Sequence, residues 1–267
     1  MSPDNPPSNG NLPSNDNLPS DDNPMTKAQA ASRAQLPKRF YKQAAAGETE
    51  GGWAVLLDDR PVRTPGRRPL TLPEQALAEA IAAEWAAQET LIDPAGMPLT
   101  RIANSALDGV SDALEQVRAD AARFAETDLL CYRAEEPQGL VARQTESWDP
   151  LLDWAREALG LRFNLAGGIV HVAQPPETLE RVNKIVAGFD AFALSGVHVI
   201  TSLTGSMVLS LAVAHGRVSA EEAWAASLVD EDWQISQWGE DAEAKRRREE
   251  RWRDMEAAAR FAVIGRN

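Results

Sequence analysis

Cysteine and histidine are scarce in this chain. Cys131 is the single cysteine among 267 residues, so no disulfide can form within the chain, and this usage fits a reducing compartment. Three histidines add little to the donors that a structural zinc site would need. The sequence also lacks the short motifs of serine hydrolases, P-loop proteins, zinc proteases and dinucleotide-binding proteins. We therefore expect no catalytic residues, no metal, no cofactor and no small-molecule substrate.

Positive charge is in deficit. The chain has 27 lysines and arginines against 40 aspartates and glutamates, a net charge of −13. We therefore expect no general affinity for nucleic acid or for an anionic membrane surface. Residues 191–214 carry no formal charge, but seven of them are Ser, Thr or His. That composition predicts a central helix buried in protein, without membrane insertion.

Composition divides the chain into three parts. Residues 1–35 repeat Asn, Pro, Ser and Asp with a period of six, and they hold too little apolar area to offset their ordering entropy, which predicts a disordered tail. Residues 36–97 contain short runs bounded by Gly, Pro and Asp-Asp turns, typical of a β-meander, and then one helix. Residues 98–267 are mainly helical. The predicted fold class is α+β, with a small β-rich N-terminal domain followed by a larger helical bundle domain.

Two local patterns in the helical part make specific predictions. Asp149 is expected to cap a helix that begins at Pro150 and ends at Gly160. The β-rich residues 169–172 are expected to form a strand before a Pro-Pro pair ends the run.

The densest mixture of acids, bases and aromatic residues is DEDWQISQWGEDAEAKRRREERW, residues 230–252. On a helical wheel, four apolar side chains fall within about 80° of one another and predict a face turned to the core: Trp224, Leu228, Ile235 and Trp238. Trp233 points to the opposite side. A helix that is apolar on both sides is either buried all round or docks a partner with its second face.

Gly239 is expected to end this helix, and Glu240 and Asp241 to open the next one. Acids at a helix start are explained by capping and by the helix dipole, and the residues alone favour that interpretation. An alternative is a metal-assisted hydrolase that uses the carboxylates of Asp232, Glu240 and Asp241. General acid–base chemistry needs a pocket and perturbed pKa values, and the sequence specifies neither.

Eight strings in order make the chain resemble the F₁-ATPase assembly chaperones that attend the α subunit of ATP synthase. The resemblance covers about residues 38–260. It implies the family's fold, a small β-rich N-terminal domain followed by a helical bundle, which agrees with the α+β arrangement predicted above. The strings are RFYK, VLLDDRPVRTP, LAEAIAAEWAAQ, IDPAGMPLTRIANSALDGV, LLCYRA, WDPLLDWA, LTGSMVLSLAVA and DEDWQISQWGEDAEA.

The resemblance implies a molecular chaperone, not an enzyme, that keeps free α subunits soluble until they assemble with β. It also marks Glu240 as functionally important. We therefore expect Glu240 to be an exposed charge that selects the α subunit, with Trp233 and Trp238 as apolar anchors and Asp241 beside them. No targeting segment is visible, which predicts the bacterial cytoplasm, whereas eukaryotic relatives act in the mitochondrial matrix. A scaffold for another complex would share this surface and differ in its partner.

Overall fold

The computed structural model describes residues 36–263, and the predicted tail at residues 1–35 lies outside them. The described chain opens with an antiparallel sheet in which β2 pairs with the other three strands. These strands are β1 (Ala44–Thr49), β2 (Gly52–Leu57), β3 (Arg60–Pro61) and β4 (Thr71–Leu72). The prediction of N-terminal strands followed by a helical part, an α+β fold, is confirmed, and the domain boundaries stay predictions.

The Asp-Asp turn between β2 and β3 forms as the sequence indicates. Asp58 and Asp59 have φ values of 46° and 66°, the left-handed region that a two-residue hairpin turn requires. The Asp58 carboxylate accepts backbone N–H groups of Lys42 and Gln43, at 3.0 and 2.9 Å. These bonds lower the pKa of Asp58, the Gln43 N–H most strongly. The turn is thereby fastened to the chain that leads into β1.

Ten α-helices follow in the described part of the chain, with a π-helix at Ala106–Val110 between α2 and α3. A two-stranded parallel pair joins β5 (Tyr132–Arg133) to β6 (Ala166–Gly167). The helices are α1 (Gln75–Ala86), α2 (Pro98–Ser105), α3 (Leu114–Ala122), α4 (Gln138–Leu159), α5 (Pro176–Val186), α6 (Ala191–Thr204), α7 (Met207–Ala214), α8 (Ala220–Ser227), α9 (Val229–Trp238) and α10 (Ala242–Ala262).

Half-buried carboxylates connect the N-terminal elements to the helical part. Glu84 on α1 accepts the backbone N–H groups of Leu99 and Thr100, at 2.7 and 2.8 Å, and so caps α2. Asp108 in the π-helix accepts the hydroxyl of Thr64 at 2.6 Å, from the turn before β4. Because each carboxylate satisfies donors of the other part, the sheet and the first helices hold one another in place.

The uncharged stretch at residues 191–214 lies in the core as two helices, α6 and α7. Gly205 ends α6 with a φ of 69°, and the Ser206 hydroxyl caps α7 by accepting the N–H of Leu209. Every residue of α7 is buried. Burial within protein is confirmed, while a single helix is wrong because Gly205 turns the chain. Within residues 36–263, no helix is both long and apolar enough to cross a membrane.

The predicted helix start at Asp149 is wrong. Helix α4 runs without a break from Gln138 to Leu159, with Pro150 inside it, and Gly160 ends it as expected at a φ of 69°. Asp149 forms an ion pair with Arg133 at 2.7 Å and caps nothing. The helix tolerates the missing N–H of Pro150 because its buried face, which includes Trp148, holds it against the core.

The strand predicted at residues 169–172 is absent, and Ile169 is 97% exposed. Gly168 has a φ of 67°, which turns the chain away from the parallel pair after the two residues of β6. β-branched residues favour a strand only when a neighbouring strand can pair with them, and none of the described residues pair here.

Candidate functional site

The segment 219–238, predicted as one helix, is broken into α8 and α9, and this break determines which of its tryptophans are buried. Leu228, with φ −109° and ψ 11°, separates α8 from α9, so the two helices do not share one wheel. Trp224 and Leu228 are buried as predicted, but Trp238 is 87% exposed. The prediction that Trp238 shares their core face is therefore wrong, because that wheel assumed an unbroken helix.

Gly239 forms a sharp corner between α9 and α10, which we call the Gly239 corner. Its φ of 87° lies in the left-handed region that favours glycine. Asp241 then caps α10, since its carboxylate accepts the N–H groups of Glu243 and Ala244 at 3.1 and 2.9 Å. The predicted helix end and helix start are both confirmed. The Asp241 carboxylate is occupied by the helix that it caps.

Glu240 stands exposed at the Gly239 corner, and among residues 36–263 its ion-pair partner is Lys245, at a loose distance. Its Oε2 lies 3.9 Å from Nζ of Lys245, beyond hydrogen-bond distance, and its side chain is 36% exposed. By contrast, Arg248 binds Asp232 at 2.5 Å. That hydrogen bond is the main cause that raises the pKa of Arg248, and the charge of Glu240 adds to it. Glu240 thus adds negative charge near Arg248, while the short hydrogen bond of Arg248 is made to Asp232.

Trp233 is half-buried and packs against α4. Its ring lies directly against Gly139 on α4. A Cβ atom added at Gly139 would come within 2.6 Å of Cη2 of the Trp233 ring. The guanidinium of Arg143, also on α4, lies 4.9 Å from the ring centroid. The predicted second apolar face of α9 is real, and it is half-buried against α4. Trp233 therefore fixes the position of α9, while Trp238 at its end faces solvent.

Each carboxylate proposed for a hydrolase has a different closest partner. Asp232 binds Arg248, Asp241 caps α10, and Glu240 pairs loosely with Lys245. Among residues 36–263, no three His, Cys, Asp or Glu side chains are grouped so that they could hold a metal ion. Metal-assisted hydrolysis therefore has no supporting geometry at the Gly239 corner.

A groove of about 410 Å³ opens beside the Gly239 corner, and we call it the tryptophan groove. Trp224 on α8 and Trp252 on α10 lie on its floor, with ring centroids 6.1 Å apart. Its lining residues are Glu221, Trp224, Ala225, Glu240, Lys245, Arg248, Glu249 and Trp252. Periodicity within one helix could not reveal this groove, because its two rings come from different helices.

Comparison with known proteins identifies the family. A family model described as ATP12 chaperone protein matches residues 38–156. The crystal structure of Atp12 from Paracoccus denitrificans is 44% identical, with a TM-score of 0.80, over 86% of this chain and 99% of that chain. The Atu1473 protein of Agrobacterium tumefaciens is 45% identical, with a TM-score of 0.82, over 91% of each chain.

A more distant relative comes from a eukaryote. Protein atp12, mitochondrial, from Schizosaccharomyces pombe is 27% identical over 226 residues, which are 80% of this chain and 78% of the yeast protein. The resemblance noted in the sequence is confirmed by these matches. The chain belongs to the ATP12 chaperone family.

Proposed function

We propose that this chain is a molecular chaperone for assembly of the F₁ sector of ATP synthase, which binds the free α subunit and keeps it soluble until β joins it. Membership of the ATP12 chaperone family supports the role, and the sequence resemblance supplies the α subunit as partner. One observation carries the assignment of the surface: Trp238, 87% exposed, ends the helix that leads directly to Glu240.

An exposed tryptophan beside a charge suits recognition of another protein. Tryptophan is enriched among residues whose truncation weakens an interface by about 2 kcal/mol or more, because its ring buries a large apolar area. A neighbouring charge adds less affinity but selects the partner and its orientation. Trp238 would supply contact area to the α subunit, and Glu240 would supply specificity.

The other two residues of the expected site have supporting roles in this proposal. Asp241 caps α10 and so fixes the direction in which the chain leaves the Gly239 corner. Trp233 anchors α9 on α4 through Gly139 and Arg143. Both residues position Trp238 and Glu240, and contact with the α subunit falls mainly on those two.

We further propose that the chain acts in the bacterial cytoplasm. It is 44–45% identical to two bacterial proteins and 27% identical to the mitochondrial one. Cys131 is a buried free thiol and the single cysteine of the sequence, a usage that suits a reducing compartment.

Glu240→Lys should leave the fold intact and weaken protection of the α subunit. The side chain is exposed and its ion pair is loose, so its contribution to folding is small. Reversing the charge replaces attraction with repulsion at a point that selects the partner. The measurement is the amount of soluble α subunit recovered on co-expression, and we expect a several-fold reduction relative to the unchanged chain.

Glu50→Lys is the matched control for that experiment. Glu50 is exposed in the β1–β2 turn, and its reversal changes the net charge by the same amount. Recovery of soluble α subunit should stay unchanged in this variant. The assignment of Glu240 fails if Glu240→Lys unfolds the chain, or if it recovers as much α subunit as Glu50→Lys.

A further inference from the structure

We infer that residues 169–172, which we call the unpaired segment, are an open strand edge to which an extended apolar segment of the α subunit adds as a neighbouring strand. This inference rests on the proposed function, since it describes how the free α subunit would be held. It adds a main-chain contact to the side-chain contacts of Trp238 and Glu240. The path, the exposure and the support of the unpaired segment each carry part of the argument.

The unpaired segment has the composition and the path of a strand but no neighbouring strand. Ile169, Val170 and Val172 are β-branched, a residue type that is enriched in strands. No turn or bend interrupts residues 170–175, which lead from the turn at Gly168 to α5. Within residues 36–263, the main-chain N–H and C=O groups of His171 and Val172 form no hydrogen bond. These groups are therefore available to another strand.

Large apolar side chains stand in solvent on and beside the unpaired segment. Ile169 is 97% exposed, Val170 is 72% exposed, and Leu165, just before β6, is 50% exposed. Residues 163–176 contain no Asp, Glu, Lys or Arg, although a quarter of the chain is charged. The carboxylate of Glu135 lies against Gly167, outside the segment. Clustered exposed apolar side chains mark a contact with another apolar surface.

Hydrogen bonds fasten the loop that carries the unpaired segment. The Asn164 N–H donates to Oε1 of Gln174 at 2.8 Å, and Nε2 of Gln174 donates to the Asn164 carbonyl at 3.0 Å. The Asn164 side chain donates to the Ala173 carbonyl at 2.9 Å, and the Tyr132 hydroxyl lies 3.3 Å from Nδ1 of His171. Gln174 is buried, so water competes little for its bonds. A segment that is fixed before binding loses less conformational entropy when a partner pairs with it.

Composition and charge favour the α subunit as the occupant. Residues 1–35 contain six prolines and no valine, isoleucine or aromatic residue, so they are poor strand partners. A second copy of the chain brings another net charge of −13, and an anionic membrane surface is also negative, so both are repelled. Surfaces that subunits bury in permanent complexes are rich in apolar area. A free α subunit has not yet buried its contact with β, and an extended apolar strand on it would satisfy the side chains and the main chain of the unpaired segment together.

Hydrogen–deuterium exchange of the full chain, with and without purified α subunit, tests the pairing directly. Fragmentation by electron transfer resolves single amides. One neighbouring strand accepts the N–H groups of every second residue, because successive residues of a strand direct their N–H groups to opposite edges. We expect binding to slow exchange about tenfold or more at alternate residues, either Ile169 and His171 or Val170 and Val172. Unchanged exchange, or equal slowing at all four residues, would overturn the inference.

Two double variants locate the contact. Ile169→Ser with Val170→Ser should weaken affinity for the α subunit about tenfold or more, because it removes the apolar area that binding would bury. Its unfolding midpoint should stay within about 2 °C of that of the unchanged chain, since both side chains are exposed. Phe40→Ser with Val263→Ser removes exposed apolar side chains from other places and should bind as the unchanged chain does. If both double variants bind alike, the unpaired segment is not the contact.

The outcomes separate this inference from the proposed function. If the α subunit binds without protecting residues 169–172, the inference fails while the proposed function stands. If binding protects them in the alternating pattern but β subunit does not displace the chain, the proposed function fails and the strand edge stands. If the chain alone shows the same slowing as its concentration rises, the segment pairs with a second copy, which overturns the inference. Absence of any complex with the α subunit contradicts both.

Discussion

Replacing Asp128 with alanine should lower the free energy of unfolding by about 3 kcal/mol or more. Asp128 is fully buried and accepts hydrogen bonds from the Leu130 N–H, the Ser206 hydroxyl and the Val208 N–H, at 3.0, 2.8 and 2.9 Å. It thereby ties the start of α7 to the turn before β5. Alanine would leave these buried donors without their acceptor, at about 1–3 kcal/mol for each group that stays unsatisfied. Urea denaturation at neutral pH measures the loss.

The pH dependence of that stability gives a second, independent signature. Burial raises the pKa of Asp128 to about 6, above its ordinary value of 3.8, although hydrogen bonds from Val208, Ser206 and Leu130 act in the opposite direction. Because the pKa is higher in the folded state, stability that is fully present below pH 3.8 is lost as the pH rises through 6. The loss approaches about 3 kcal/mol, since each unit of pKa shift is worth about 1.4 kcal/mol.

Asp128→Asn is the control for both measurements. It keeps one carbonyl acceptor and cannot ionise, so it should be more stable than Asp128→Ala at neutral pH. As the pH rises from 4 to 7, the unchanged chain should lose stability relative to Asp128→Asn. Asp128 has no such role if alanine is tolerated within 0.5 kcal/mol, roughly the scatter of neutral surface changes. A constant difference from pH 4 to pH 7 would contradict its ionisation in this range.

Gly196→Ala should also destabilise the fold strongly, by about 3 kcal/mol. Gly196 lies where α6 crosses α10, and an added Cβ would come within 2.4 Å of the Ala262 nitrogen and 2.5 Å of the Ala258 oxygen. These are backbone atoms of a helix, so they cannot rotate away as a side chain could. Overpacking of this kind costs about 1–3 kcal/mol and outweighs the gain in helix propensity. Thermal and urea unfolding measure the effect.

Gly109→Ala is the matched substitution without a clash. Gly109 lies in the π-helix, and nothing approaches its added Cβ within 4 Å. Its alanine variant should be neutral or more stable, by up to about 1 kcal/mol, because alanine loses less conformational entropy on folding. Similar unfolding midpoints for Gly196→Ala and Gly109→Ala would contradict this prediction, because they would show that α6 and α10 can move apart without a loss of stability.

Local chemistry made much of the fold predictable from the sequence. The Asp-Asp turn, the helix end at Gly160 and the corner at Gly239 each depend on a residue whose conformational preference is strong. The strand predicted at residues 169–172 failed because a strand also needs a partner that composition does not reveal. Helix α4 continues through Pro150, although Asp149 and Pro150 locally favour a helix start. Packing of its buried face overrides that local preference.

The residues of the candidate site stay a prediction, and their arrangement could not be predicted from the sequence. Glu240 and Trp238 were expected to contact a partner because of a family resemblance, and the structure leaves both side chains at the surface. The exposure of Trp238 depends on the break at Leu228, which a helical wheel drawn through an unbroken helix does not include. The tryptophan groove depends on how α8 and α10 pack, which is a tertiary relation. Sequence periodicity describes single elements, and this surface is built between them.

Formation and release of a complex with the α subunit test the central claim most directly. The purified chain is mixed with free α subunit, followed by size-exclusion chromatography with light scattering before and after addition of β subunit. We expect a complex that contains one copy of α for each chain, and we expect β to displace the chain from it. Absence of a complex, or a complex that β leaves intact, would contradict temporary protection of the α subunit by this surface.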